Sequence, residues 1–200
     1  MQIRLLEHLK NHSGKNAMLV LRPADATETS VCWKMALENK DTPTALILSR
    51  QNINDLPSSS GRRYEDALGA MKGAYIVEDD GGKPDVVLLA NGSEVSTLIE
   101  GAAMLRQEKG LKVRVVSVPS EGLFMSQDAA YRRSILPDGI PRFGLTAGLS
   151  LTLSGLVGEN GKVWGLDHFG YSAPYTVLDE KFGFTPANVF KQVSTMISDS

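Results

Sequence analysis

Two hundred residues are enough for one large or two small domains and for a sizeable buried core. With 42% hydrophobic residues, 22% charged residues and a net charge of −2, basic and acidic side chains interleave, which offers no footprint for nucleic acid and no basic face for a membrane. One cysteine, Cys32, excludes an internal disulfide framework and a cysteine-cluster metal site, and no run approaches the roughly 20 apolar residues of a membrane span.

The elements alternate between β-like and helix-like. Residues 2–11 read as a short helix and 17–21, AMLVL, as a strand. In RPADATETSVCWKMALENKD, Asp25 caps a helix and Glu28, three residues on, reaches back in a capping box. Cys32, Trp33, Ala36 and Leu37 share the face expected to pack on a sheet. TALILSR, 44–50, follows as a strand whose unbroken apolar run fits a parallel strand covered on both faces. LPSSSGRR, 56–63, is the linker, rich in Pro, Ser and Gly. After a short helical stretch, GAYIVEDDGGKPDVVLLANG reads as two strands joined by a turn at Asp80-Gly81-Gly82. SEVSTLIEGAAMLRQEKG is the clearest helix, with Ser93 as cap, Val95, Leu98, Ile99 and Ala102 as its stripe, and Gly110 at its end. LKVRVVSVPS is a strand stopped by Pro119. RFGLTAG and KVWGLDHFG are strands around a helix at about 149–157. Thr185 caps a last helix that has Pro186 at its first position, with Val189, Phe190, Val193, Met196 and Ile197 facing inward.

This order implies an α/β fold of three layers, α/β/α, around a mostly parallel, mixed sheet. Residues 1–57 supply two strands and two helices, thin for an independent domain; 58–72 connect; 73–200 carry about five strands and can close a core alone.

Motifs for chemistry are few. There is no glycine-rich phosphate loop, no nucleophile elbow and no HExxH, and His8, His12 and His168 share no metal-ligand spacing. NGSEV, 91–95, could present a helix N-terminus to an anion, but Glu94 already complements the dipole, so simple capping is expected. In DHFGYSAP, 167–174, strand neighbours Asp167 and His168 would point to opposite faces, which argues for a structural loop. Cys32 lies mid-helix beside Trp33 and reads as an inert buried thiol. Arg50 is the exception. It stands at the carboxyl end of an apolar strand, where open α/β sheets bind ligands, and its planar fork suits phosphate or carboxylate. On pattern alone, ligand contact and structural ion pair stand level.

The stretch LRPADATETSVCWKMALENKDTPTALILSRQNINDLP resembles the end of the transketolase pyrimidine-binding domain, whose pattern is an RPAD or RPCD opening, a helix, then GPTALxLSRQ. KGAYIV, LLANGSEV, VRVVSVPS, QDAAYRRSILP and HFGYSAP…VLDEKFGFTPANV are similar to the transketolase C-terminal domain, so the resemblance covers nearly the whole chain. Thr42 stands where the pattern has Gly, and Thr146 where it commonly has Glu before Ala-Gly; His168 falls where members vary. The family's GDG…N thiamine-diphosphate and metal motif, its catalytic glutamate and its active-site histidines have no counterpart here.

The resemblance therefore implies the C-terminal part of a thiamine-diphosphate- and Mg²⁺-dependent transketolase, which moves a two-carbon ketol unit between sugar phosphates in the pentose phosphate pathway. The complete enzyme is expected to be a cytoplasmic homodimer, with no nucleic-acid or membrane partner. This chain alone is expected to bind no cofactor or metal, to carry no catalytic residue and to be inactive. Of the family's substrate contacts, only the LSRQ arginine transfers: Arg50, for the sugar phosphate. The alternatives are a non-catalytic dimerisation or assembly module, or a subunit of a split transketolase. An independent nucleotide-binding protein lacks the glycine-rich loop to support it.

Overall fold

The computed structural model describes residues 6–198. Of the expected helix over 2–11, residues 2–5 lie outside the described residues; beyond Leu6 the chain turns, and Lys10 bridges Asn16. The Asn11 side-chain oxygen accepts the N–H groups of Ser13 and Lys15, both at 3.0 Å, and such local bonds compete with helix.

Strands β1 (Leu19–Leu21) and β2 (Thr44–Leu46) pair in parallel and are joined by α1 (Ala26–Glu38). The capping box is present: Asp25 Oδ1 accepts the Glu28 N–H at 2.6 Å, and Glu28 Oε2 accepts the Ala24 N–H at 2.5 Å. The buried face differs from expectation. Val31, Cys32 and Met35 are inside, whereas Trp33 is 51% and Leu37 77% exposed. Glu28 is pinned inward by its hydrogen bonds, and the stripe three, four and seven residues on follows it into the core. β2 is shorter than 44–50 and only half-buried, with Leu48 exposed, so it is not a strand between two layers. It stops because its partner turns away. The Ile47 N–H still reaches Leu21 O at 2.8 Å, but the Arg22 N–H goes to Pro119 O at 2.9 Å.

A short helix α2 (Arg63–Ala67) and a 3-10 turn (Leu68–Lys72) lead to Gly73. Its φ of +86° and its packing, with a Cβ position only 2.3 Å from Phe124 N, leave room for no side chain. The main sheet follows: β3 (Tyr75–Asp79), β4 (Val86–Ala90), β5 (Val113–Ser117), β6 (Arg142–Leu145) and β7 (Lys162–Trp164), in the order β3-β5-β4-β6-β7. Only β3 runs antiparallel. The two strands flanking the Asp80-Gly81-Gly82 turn are not partners, because β5 lies between them.

Helices α3 (Glu94–Lys109) and α8 (Pro186–Ser198) cover one face of this sheet; α4 (Glu121–Met125), α5 (Ala129–Ile135) and α6 (Leu151–Val157) cover the other, and α7 (Tyr175–Phe182) precedes α8. The central strand β4 shows why three layers form. Val86, Leu88 and Ala90 enter the first apolar cluster, Val87 and Leu89 the second, and all five are fully buried. Gly110 ends α3 in the left-handed region and Thr185 Oγ1 caps α8 through the Asn188 N–H, as expected. The Ser93 cap is corrected: Ser93 is itself helical, and its hydroxyl donates to Glu94 Oε1 at 2.9 Å instead of receiving a backbone N–H.

Leu21, Ala24, Val31, Cys32 and Met35 share the first cluster with Tyr75, Val77 and Val86, so residues on both sides of the linker build one core. Among the described residues, no helix is long and apolar enough to cross a membrane.

Candidate functional site

The chain emerges from β1 and β2 on the same side, each time with an arginine. Arg22 directly follows Leu21; Arg50 follows Ile47-Leu48-Ser49 beyond β2. Parallel strands place both at one edge, beside the carboxyl ends of β4 and β6 in the main sheet.

Arg50 is exposed and lines a cleft of about 340 Å³ with Arg22, Gln51, Tyr171, Tyr175 and Asp179. No carboxylate among the described residues pairs with it. Gln51 is tethered by a 3.4 Å bond from Nε2 to Ser93 Oγ, which ties the loop after β2 to the start of α3. Asp179, one of two carboxyls lining this cleft with Glu94, is pushed above its ordinary range by burial and by the nearby charges of Glu94 and Glu180.

Arg22 is set differently. Its side chain is 15% exposed and its Nη1 atom reaches Asn91 O at 2.8 Å, Asn91 Oδ1 at 2.5 Å and the Glu94 carboxylate. Glu94 is therefore an ion-pair partner of Arg22, not a free complement to the dipole of α3. Sequence reasoning quoted Arg22 inside RPAD and gave it no role. The signal was available, since Arg22 ends the apolar AMLVL run just as Arg50 ends its own.

The remaining candidates do not converge. His8 pairs with Glu121 at 3.6 Å, while the His168 ring packs tilted at 58° against Phe182, 5.2 Å away, and its Nδ1 meets Phe169 O at 2.8 Å. Asp167 accepts from Ser150 N and Oγ, at 2.9 and 2.7 Å, and these bonds, more than the charge of His168, hold its carboxyl below the usual range. Cys32 is fully buried; burial, then the charges of Glu28 and Asp25, push its thiol far up, which fits an inert thiol. No group of three or more His, Cys, Asp or Glu among the described residues is arranged for a metal ion. These residues do not fit a metal–diphosphate centre.

Comparison with known proteins identifies the surroundings. The family described as "Transketolase-like TK C-terminal domain" matches residues 73–185. Transketolase 1 of Vibrio vulnificus (strain YJ016) is 43% identical over 182 residues, which cover 90% of this chain and 27% of that protein. The structure of transketolase from Leishmania mexicana superposes with a TM-score of 0.84 at 35% identity, over 99% of this chain and 27% of that one. That of Pichia stipitis transketolase complexed with sedoheptulose-7-phosphate gives 0.81 at 33% identity, over 93% and 26%. The chain thus spans about a quarter of the length of the curated relatives it matches.

Proposed function

From the premise that this chain belongs to the transketolase family, through its C-terminal domain, we propose that it serves as the C-terminal part of a thiamine-diphosphate-dependent transketolase and that Arg50 holds the phosphate end of the sugar substrate. The observation that carries the reading is the state of Arg50: a guanidinium on the loop four residues beyond β2, open to a cleft and engaged by no carboxylate of the described residues. A related transketolase of 33% identity has been crystallised with xylulose-5-phosphate, fructose-6-phosphate and sedoheptulose-7-phosphate, all phosphate dianions at one end.

We read cofactor binding and ketol transfer as the work of the rest of the enzyme, on the same chain or a partner; the lack of a His, Cys, Asp or Glu cluster among the described residues supports that reading. The chemistry that thiamine diphosphate supplies is stabilisation of a carbanion during transfer. What this chain contributes is position. A phosphate held far from the reacting carbon orients the sugar without touching the bond that breaks. The complete enzyme is read as a cytoplasmic homodimer.

Arg50→Ala in the complete enzyme tests this. A charge-assisted contact to phosphate is worth roughly 1.5–3 kcal/mol, so kcat/KM for phosphorylated sugars is expected to fall about ten- to a hundredfold. Short unphosphorylated aldehydes should be nearly unaffected, and Lys should restore only part of the loss because it lacks the fork. Equal losses on both substrate classes with a lowered Tm would instead make Arg50 structural.

A further inference from the structure

The main sheet has a topological switch point between β4 and β6. From β4 the chain leaves through α3 to β5 on one side; from β6 it leaves through α6 to β7 on the other. The two helices cover opposite faces of the sheet. Connections that diverge in this way open a crevice outside the carboxyl ends of the two strands, which is where open α/β sheets take ligands. The crevice is present as a cavity of about 250 Å³, lined by Arg22, Ile47, Asn91, Thr146, Gly148 and Thr152.

Its chemistry is an excess of donors. The hydrogen bonds and the ion pair of Arg22 all run through Nη1, so Nε and Nη2, the edge that grips an oxyanion side-on, pack against Gly92 but have no hydrogen-bond partner among the described residues. Asn91 is 1% exposed, and its Nδ2 is a buried donor without an acceptor. A buried amide donor left unpaired is costly, and an acceptor arriving from outside would remove that cost. Thr146, 2% exposed, accepts the Gly148 N–H at 3.1 Å, while its hydroxyl donates only a long 3.5 Å bond to Asn91 Oδ1, which a nearer acceptor would displace. None of the lining residues is acidic, and Glu94 engages the far nitrogen of Arg22. We propose that this crevice binds a small oxyanion, a phosphate or a carboxylate, on the Nε/Nη2 edge of Arg22 beside Asn91 and Thr146. The site does not depend on Arg50, which lines the neighbouring cleft and not this one.

The test is an NMR titration of the 200-residue chain with inorganic phosphate and, separately, with acetate, against chloride at equal ionic strength. Saturable shifts of the Asn91 side-chain amide and the Gly148 N–H are expected. A response to phosphate alone assigns a phosphate site, to acetate alone a carboxylate site, and to both a general oxyanion site. Arg22→Lys should weaken binding at least tenfold, because lysine keeps the charge and loses the fork. Thr146→Glu should abolish it by placing the protein's own carboxylate in the cavity, and this variant keeps the Arg22–Glu94 pair should Arg22→Lys fail to fold. Arg50→Ala should leave the titration unchanged. Shifts that are absent, that chloride reproduces, that persist in Thr146→Glu or that vanish in Arg50→Ala would overturn the proposal. The Arg50→Ala result separates this site from the sugar-phosphate reading.

Discussion

Glu28 is a carboxyl with no exposed surface, held between three parts of the chain. Ser117 Oγ donates to its Oε1 at 2.8 Å, the Ala24 N–H to its Oε2, and Tyr75 adds a further hydrogen bond. Arg63 supports the group from the linker side, through Nη2 to Tyr75 OH at 2.8 Å and Nε to Asp25 Oδ2 at 2.7 Å. Burial pushes Glu28 above its ordinary 4.5 more strongly than these bonds pull it down. A carboxyl raised in the folded state binds its proton more tightly there than when unfolded. The stability it contributes is therefore complete below about pH 4.5 and is lost as pH rises toward the folded value. Glu28→Gln keeps an acceptor for Ala24 and a donor that Ser117 Oγ can receive, and it does not titrate. The Tm of the variant minus that of the parent should accordingly increase from pH 4.5 to 7.5, each 1 kcal/mol appearing as about 2–4 °C in a chain of this size. Thermal melts showing a constant or shrinking difference would contradict the buried-acid reading. Arg50 sits at the opposite extreme of this scale, an exposed charge whose value lies in what it can still bind.

At the scale of elements, α3 packs tightly on α8. Gly101 faces Val189, and a Cβ on it would lie 2.6 Å from Val189 Cγ1 and 2.9 Å from its Cβ. Val189 is fully buried and β-branched, so it has little freedom to yield. Gly→Ala in a helix interior gains about 1 kcal/mol from propensity, whereas overpacking costs about 1–3 kcal/mol. Gly101→Ala should therefore destabilise by up to about 2 kcal/mol in denaturant titration. Combined with Val189→Ala, the loss should be smaller than the sum of the two single losses, because each change makes room for the other. Strict additivity would show that the helices are able to separate without strain. The helix signals that held were those written in local backbone chemistry: the Asp25–Glu28 box, Gly110 and the Thr185-Pro186 start. Ser93 failed as a cap because its neighbour Glu94 and Gln51 from a distant loop compete for its hydroxyl.

At the scale of the whole molecule, residues 73–200 own a five-stranded sheet with helices on both faces, while 19–56 lean on it through one shared apolar cluster. The division at 57 and 73 is a proposal with a direct measurement. The segment 73–200 expressed alone should unfold cooperatively, but at a lower Tm than the 200-residue chain, because Tyr75, Val77 and Ser117 lose the cover of Ala24, Glu28, Val31 and Cys32. Loss of any cooperative transition would make the first segment an obligatory part of the domain.

Periodicity and caps in the sequence were sufficient for the α/β class, the five strands after the linker and the inward face of α8, since each depends on residues a few positions apart. Tertiary structure decided the rest. It inserted β5 between β3 and β4, turned Trp33 and Leu37 outward, and cut β2 short where Arg22 exchanged its partner for Pro119. It also joined Arg22 to Asn91 and Glu94, some 70 residues away. Strand order and side-chain pairing across the sheet are set by which distant groups compete for the same hydrogen bond or the same buried volume, and a local window of sequence contains only one of the competitors.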